Sequence, residues 1–150
     1  MSTLTEGQKA PAFAAADQTG KTVRLSAFKG KNLVLYFYPK DDTPGCTAEA
    51  CSLRDHYQSL LQAGYQILGV SSDTPASHQK FITKFQLPFD LISDQDKTVH
   101  EAFGTWIQKS MYGRSYMGTD RVTFVIGPDG IIQEVIAKVD TKNHAAQILP

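Results

Sequence analysis

Cys46 and Cys51 are the only cysteines of the 150-residue chain, and they lie five residues apart in the segment YPKDDTPGCTAEACSLRD. Two thiols this close in sequence can bind a metal, form a structural disulfide, pack as small apolar side chains, or work as a redox couple. Their spacing and their neighbours determine how well each of these four chemistries fits.

A metal site fits the spacing poorly. Cys46, Cys51 and His56 follow one another at intervals of five, and in a helix each interval turns the side chain by ~140°, so the three point in different directions. A zinc site also needs four ligands and usually contains a pair two to four residues apart. We expect no metal, because the remaining histidines show no paired spacing: His78, His100 and His144.

A permanent disulfide within a helix is also disfavoured. Residues five apart in an intact helix have Cα atoms ~8.6 Å apart, given a rise of ~1.5 Å and a radius of ~2.3 Å. A disulfide needs a Cα separation of roughly 4.4–6.8 Å. A bond between Cys46 and Cys51 therefore requires the first turns of the helix to unwind, which suits a bond that forms and breaks.

Inert packing and redox chemistry remain as alternatives. Free cysteine is commonly a small buried hydrophobe, and Cys51 alone fits that description well. Cys46 falls in the first helical turn, where unpaired N–H groups and the helix dipole favour an anion and lower the pKa of a thiol. It also shares a helical face with Ala50, Leu53 and Tyr57. This position favours redox or nucleophilic chemistry over inert packing.

Helix and strand signals position this segment after a buried strand. The apolar runs NLVLYFY and YQILGVSS predict two buried strands. Between them, residues 41–64 predict one helix that Thr43 caps, with Pro44 in its first turn and Gly64 at its end. Cys46 thus lies just past the carboxyl end of a strand, where active sites of parallel sheets tend to lie.

The rest of the chain predicts a mixed sheet. DTPASHQKFITKFQLP predicts a second long helix, FDLIS a short strand and DKTVHEAFG a short helix, while residues 105–120 look irregular. RVTFVI and IIQEVIAKV predict a hairpin around Gly-Pro-Asp-Gly. This order predicts a single α/β domain over residues 1–150, with a mixed central sheet and helices on both faces.

Composition limits the function classes. Lys+Arg and Asp+Glu are both 15, so the net charge is zero, which argues against nucleic-acid and membrane partners. The N-terminal residues lack the pattern of a signal peptide. No apolar run approaches the ~20 residues of a membrane span. We therefore expect a soluble, cytoplasmic protein.

The cysteine segment resembles the active-site motif of peroxiredoxins, in which Pro, Thr and Cys stand as Pro39, Thr43 and Cys46 do here. A second cysteine five residues later is similar to the PrxQ, or bacterioferritin comigratory protein, subgroup. The similarity extends through EGQKAPAF, ILGVSSDTPASHQKFITKFQLPFDLISD and FGTWIQKSMYGRSYMGTDRVTFVIGPDG, and so covers nearly the whole chain.

The resemblance implies a thioredoxin-like fold and thiol-dependent reduction of peroxides without metal, haem or flavin. Cys46 would be the peroxidatic cysteine, which becomes a sulfenic acid, and Cys51 the resolving cysteine, which forms an intramolecular disulfide with it. Thioredoxin or glutaredoxin would then be the reductant. An intramolecular resolving cysteine removes the need for a dimer, so a monomer is expected.

The resemblance also implies roles for four further residues. Thr43 would hydrogen-bond the peroxide, the N–H groups of Gly45 and Cys46 would help to hold it, and Pro39 would shield the thiolate from water. Arg121 would be the distant active-site arginine. Two alternatives stay open on the residues alone, because Thr43 fits a helix cap and Arg121 fits a strand-end charge that faces water.

Two other functions compete with a peroxidase. A thiol–disulfide exchange protein that acts on protein disulfides usually has two residues between its cysteines, whereas this chain has four. A non-enzymatic domain with an inert thiol pair is the other alternative. Family members often carry a fuller C-terminal helix than the AAQILP found here, and none of the expected mechanism residues lies in that segment.

Overall fold

The computed structural model describes residues 2–150. Its strands are, in chain order, β1 Ala14–Ala16, β2 Thr22–Arg24, β3 Asn32–Phe37, β4 Tyr65–Ser71, β5 Asp90–Ser93, β6 Trp106–Met111, β7 Arg114–Thr119, β8 Thr123–Ile126 and β9 Ile132–Ile136. Its α-helices are α1 Pro44–Asp55, α2 Tyr57–Gln62, α3 Pro75–Phe85, α4 Thr98–Phe103 and α5 His144–Ile148.

A five-stranded mixed sheet forms the centre of the molecule, in the order β5-β4-β3-β8-β9. The strands β3, β4 and β5 are parallel, whereas β8 is antiparallel to both of its neighbours. The central strand is β3, and its residues 33–37 are fully buried because an uninterrupted apolar run can pack on both faces of a sheet. The predicted mixed sheet and the predicted hairpin of β8 and β9 are confirmed.

Alternate residues of β3 face two separate hydrophobic clusters, since side chains of a strand point to opposite faces in turn. Val34 and Tyr36 pack on one side with residues of α1, α2, α3 and α5, while Leu35 and Phe37 pack on the other with residues of α4. Helices therefore cover both faces, as predicted. Within residues 2–150, no helix is both long and apolar enough to span a membrane.

The prediction of one continuous helix over residues 41–64 is wrong. Residues 41–43 form a turn, α1 begins at Pro44, and the helix is interrupted at His56, whose φ of −110° and ψ of 17° leave the helical region. The backbone N–H of His56 donates to the Ser52 carbonyl oxygen, and the His56 ring nitrogen Nδ1 lies 3.0 Å from the same oxygen. The departure of His56 from helical dihedral angles therefore separates α1 from α2.

The segment predicted to be irregular forms a two-stranded antiparallel ribbon. β6 and β7 pair from Trp106 opposite Thr119 to Met111 opposite Arg114. Most of the ribbon is exposed, so its residues need no alternation of apolar and polar types, and the usual signal of a strand is missing. Its turn at residues 112 and 113 has positive φ at both positions.

The loop between β3 and α1 is fixed by the buried carboxylate of Asp41. Tyr38 Oη donates to Asp41 Oδ1 at 2.6 Å, and Ser77 Oγ donates to Asp41 Oδ2 at 2.8 Å. The ring of His78, fully buried in α3, places Nδ1 2.7 Å from the same Oδ2. These contacts join the loop to α3 and thereby determine where α1 begins.

Replacement of the buried carboxylate should destabilise this loop more than replacement of its neighbour. Asp41→Asn leaves the buried His78 without its carboxylate partner, so we expect the free energy of unfolding to fall by about 2–3 kcal/mol. Denaturant unfolding of the reduced protein measures this change.

Asp42→Asn is the matched control. Asp42 pairs with Lys84 at the surface and has a φ of 56°, a backbone conformation that asparagine tolerates. We expect a change within about 0.5 kcal/mol. Equal effects of the two substitutions would contradict the anchoring role of Asp41.

Candidate active site

Cys46 lies in the first turn of α1, immediately beyond the carboxyl end of β3, and only 2% of it is exposed. It packs in the same hydrophobic cluster as Tyr36, Ala50 and Leu53. The helical face that Cys46 shares with Ala50 and Leu53 therefore packs against the sheet. A thiol in this place combines the positive end of a helix with shelter from bulk water.

Thr43 occupies the N-cap position, but its side chain makes no capping hydrogen bond. Its hydroxyl instead donates to the Lys40 carbonyl oxygen at 2.8 Å, so the predicted capping role of the side chain is wrong. The backbone N–H groups of Gly45 and Cys46 belong to the first turn, where helix geometry provides no acceptor. Thr43 keeps hydroxyl lone pairs that can accept a hydrogen bond, because its proton is committed to Lys40.

Arg121 brings a permanent positive charge to this thiol from the loop between β7 and β8. Its Nη2 donates to Cys46 Sγ at 3.3 Å, and its Nη1 donates to Glu49 Oε1 at 2.6 Å. β8 begins only at Thr123, so Arg121 does not open the strand as the sequence predicted. The guanidinium points into the site rather than into water, since 24% of its side chain is exposed.

Two further residues of the predicted site precede Cys46 in the chain, and one of them lies against Arg121. A Cβ atom at Gly45 would lie 3.3 Å from Arg121 Nη2, which is close to a clash, so the missing side chain permits the approach of the guanidinium. Pro39 is half-buried in the loop that joins β3 to α1. The structure thus places Pro39, Thr43 and Gly45 along the stretch of chain that leads to Cys46.

Cys51 is half-buried on the same helix, and both cysteines are free thiols. Because α1 runs without a break from Pro44 to Asp55, the Cα atoms of Cys46 and Cys51 are held ~8.6 Å apart by helix geometry. Ser52, the next residue, accepts the backbone N–H of Ala145 through its Oγ at 3.1 Å. The second half of α1 is thereby attached to α5.

Glu49 belongs to the site although the sequence analysis did not include it. It is fully buried, and it lies three residues after Cys46, hence on the same side of α1. Burial raises the pKa of Glu49 to about 7, while the charge and hydrogen bonds of Arg121 act in the opposite direction. A carboxylate on an otherwise apolar helical face, between Cys46 and Ala50, is the signal that could have identified it.

The electrostatics of the site keep the arginine charged. Burial alone would lower the pKa of Arg121, but Cys46 and Glu49 both favour its protonated form, and the pKa is raised above its ordinary value. The site therefore combines a sheltered sulfur nucleophile, a fixed cation and uncapped N–H groups. Such an arrangement can stabilise negative charge on sulfur and on an oxygen that leaves during attack by that sulfur.

Donor atoms suited to a metal converge elsewhere in residues 2–150. One atom each of Asp41, Asp73 and His78 lie within 4.8 Å of one another. Hydrogen bonds within this group and to neighbouring side chains already occupy these atoms. Their observed role is to anchor the loop that leads to α1.

A family model and the curated relatives of similar sequence point to the same protein family. Residues 6–135 match the model of the AhpC/TSA family. A curated relative, peroxiredoxin Bcp of Bacillus subtilis, is 46% identical over 147 residues, which cover 98% of this chain and 94% of the relative. Peroxiredoxin Bcp of Escherichia coli is 44% identical over 149 residues, which cover 99% and 96%.

Solved structures agree with the sequence relatives. A mutant of PrxQ from Xylella fastidiosa superimposes with a TM-score of 0.92 at 33% identity, covering 99% of this chain and 95% of that one. The bacterioferritin comigratory protein of Xanthomonas campestris gives a TM-score of 0.87 at 35% identity, with the same coverage.

The buried carboxyl group predicts a specific dependence of stability on pH. Glu49 has a pKa of about 7 in the folded protein and an ordinary value of 4.5. Its protonation therefore stabilises the fold fully below pH 4.5, and this contribution is lost as the pH rises towards about 7. The loss amounts to up to about 3 kcal/mol at 1.36 kcal/mol for each pKa unit.

Glu49→Gln removes the titrating group and keeps the shape of the side chain. As the pH is raised from 4.5 to about 7, we expect the unfolding free energy of the wild type to fall relative to that of the variant. Denaturation curves of the reduced proteins at several pH values measure it. A difference that is constant with pH would contradict the assignment.

Proposed function

The chain belongs to the AhpC/TSA family and is a peroxiredoxin of the Bcp/PrxQ type; on this basis we propose that Cys46 and Cys51 carry out its thiol peroxidase reaction as peroxidatic and resolving cysteines. Family membership favours this function over the alternative of a thiol–disulfide exchange protein. The single observation that supports the assignment of Cys46 is its contact with Arg121, at 3.3 Å between Nη2 and Sγ.

The first step is nucleophilic displacement at oxygen. The Cys46 thiolate attacks the terminal oxygen of the peroxide, so an S–O bond forms and the O–O bond breaks. Sulfur is oxidised to a sulfenic acid, and the departing alkoxide or hydroxide takes a proton to become alcohol or water. Arg121 favours this step because its fork of donors can face both the thiolate and the leaving oxygen.

Local groups hold the peroxide in line with sulfur. The N–H groups of Gly45 and Cys46 donate towards its oxygens, and the Thr43 hydroxyl accepts a hydrogen bond from the peroxide O–H, since its own O–H donates to the Lys40 carbonyl oxygen. Pro39 restricts access of water to the thiolate. Alignment of nucleophile and substrate contributes more here than acid–base chemistry, because the attacking thiolate has already lost its proton.

The second step forms the Cys46–Cys51 disulfide. The Cys51 thiol attacks the sulfenic sulfur, the S–S bond forms and water leaves. Helix geometry keeps the two Cα atoms too far apart for this bond, so the segment from Pro44 to Cys51 must unwind first. Both cysteines lie in one chain, and the cycle is complete in a monomer.

A dithiol then restores the enzyme. Thioredoxin, glutaredoxin or a similar dithiol protein reduces the disulfide and is itself oxidised, and the expected location of this cycle is the cytoplasm. We include organic hydroperoxides with hydrogen peroxide among the substrates. Support comes from the Xanthomonas campestris relative, whose solved structures concern its alkyl peroxide reduction activity.

Single serine substitutions should separate the two cysteines. Cys46→Ser should abolish peroxide consumption, because the nucleophile is gone. Cys51→Ser should consume about one equivalent and stop as a sulfenic acid, unless an added thiol resolves it. Peroxide consumption with thioredoxin and its reductase measures turnover, and peptide mapping after one equivalent of peroxide should find the Cys46–Cys51 link in the wild type. Normal turnover by Cys46→Ser would refute the assignment.

Substitution of the arginine should slow the first step alone. Arg121→Gln removes both the positive charge and the paired N–H donors of the guanidinium. We expect the second-order rate constant for the reaction with peroxide to fall by about 10²-fold or more. Arg121→Lys keeps the charge without the fork and should fall between this variant and the wild type. Rapid-mixing kinetics with hydrogen peroxide measures these rates.

Arg114→Gln, on the exposed ribbon, is the matched control and should leave the rate constant unchanged. If Arg114→Gln and Arg121→Gln slowed the reaction equally, general electrostatic attraction rather than contact with Cys46 would explain the effect.

A further inference from the structure

One oxygen of the buried Glu49 carboxyl group has no hydrogen-bond partner. Arg121 donates to Oε1, whereas Oε2 is fully enclosed and has no hydrogen-bond partner. Among the buried side-chain nitrogen and oxygen atoms of residues 2–150, only the Tyr36 hydroxyl also lacks a partner. A buried carboxylate oxygen without a donor is costly, so either a proton lies on it or a neighbour supplies one.

The neighbour is His144, the first residue of α5. Its ring is fully buried, and its Nε2 lies 3.5 Å from Glu49 Oε2. Thr123 Oγ1, at the start of β8, lies 2.8 Å from the same nitrogen. The C-terminal helix therefore directs a titratable ring at the carboxyl group that contacts the catalytic arginine.

Hydrogen bonding determines which ring nitrogen carries a proton. The backbone N–H of Asp140 donates to Gln147 Oε1, and Gln147 Nε2 donates to the Lys138 carbonyl oxygen, so the orientation of this amide is fixed. Gln147 Oε1 can only accept, and His144 Nδ1 lies 2.7 Å from it and must donate. In the neutral ring, Nε2 is then an acceptor that faces Thr123 and Glu49.

We propose that His144 is a positioning residue of the peroxidase site, which shares one proton with Glu49 and so keeps the Arg121 guanidinium available to Cys46. This proposal rests on the proposed function of Cys46. A proton on Oε2 points to Nε2, and a proton on Nε2 points back to Oε2. One proton between Oε2 and Nε2 therefore satisfies the unpaired carboxyl oxygen from either side; without it Oε2 has no donor, and Nε2 accepts only from the Thr123 hydroxyl.

The charges around the gap make this proton matter for catalysis. With the proton present, the Glu49–His144 pair is neutral, and Cys46 is the anion that Arg121 faces. Without it, Glu49 and Cys46 are two anions that compete for one guanidinium. Loss of the proton therefore draws Arg121 towards Glu49 and adds negative charge beside the thiolate, which disfavours attack on a peroxide.

The surrounding groups favour a proton on Glu49 at and below neutral pH. Burial raises the pKa of Glu49 and lowers that of His144. Arg121 acts against the proton on both, whereas Asp140 favours a proton on the ring. Tyr36 from β3 is uncharged, since burial raises its pKa far above neutrality. Burial lowers the pKa of Lys109, on β6; the charge of Asp120 raises it, that of Arg121 lowers it, and that of Cys46 raises it.

The test measures the rate of Cys46 oxidation as a function of pH in a Cys51→Ser background, by quenched flow and mass spectrometry of the sulfenic acid. We expect the profile to contain a limb in which the rate constant falls with rising pH, where the shared proton is lost. In His144→Gln, an amide donor stabilises the Glu49 carboxylate, and the falling limb should move to lower pH by about one unit or more.

Glu49→Gln is neutral at every pH and should lack the falling limb. In that background His144→Gln should cause no further shift, because the shared proton is already absent. The matched control is His56→Gln, at the exposed histidine after α1, which should leave the profile in place. Infrared spectra of the reduced protein at neutral pH should show a buried carboxylic acid band that Glu49→Gln removes.

The outcomes discriminate sharply. A purely structural role of His144 would lower the rate equally at all pH values and leave the falling limb where it is, which would overturn the proposal. A Cys51→Ser protein with Glu49 and His144 intact whose rate constant does not fall at higher pH would overturn it too. Oxidation of the remaining thiol in a Cys46→Ser protein at the normal rate would instead show that the proposed function has failed.

Discussion

The active site depends on one guanidinium group that contacts two partners. Arg121 donates to the sulfur of Cys46 through one nitrogen and to the carboxyl group of Glu49 through another. A planar cation with two donors at a fixed angle can hold both partners only if they lie on one side of a helix, which residues 46 and 49 do. Everything that positions α1 therefore also positions the charge around the thiol.

Three parts of the fold meet this requirement. The loop anchored by Asp41 fixes the start of α1, which follows the carboxyl end of the central strand β3. Gly45 leaves room for the arginine, which follows the end of β7 that pairs with Trp106. The C-terminal helix α5 closes the buried side through Ser52 and His144.

Sequence reasoning found the parts of this site whose signal is local. The spacing of Cys46 and Cys51, the start of a helix after a buried strand, and the motif from Pro39 onwards are all readable along the chain. Arg121 was found through family resemblance alone, because 75 residues separate it from Cys46. The position of His144 against Glu49 was not predictable, since it depends on how α5 docks and no local pattern encodes it. The break at His56 was missed because one residue with non-helical dihedral angles leaves no mark in the pattern of apolar residues. The β6–β7 ribbon was missed because exposed strands need no alternation of apolar and polar residues.

Glu49 lies between the two cysteines, within the stretch of α1 that the disulfide requires to unwind. In the proposed cycle, the residue that accepts a hydrogen bond from Arg121 therefore leaves its place when the Cys46–Cys51 bond forms. The proposed disulfide form would then lack the arrangement of Cys46, Glu49 and Arg121 that the free-thiol structure shows. In the proposed cycle, oxidation by peroxide and reduction by a dithiol therefore act on two different arrangements of α1.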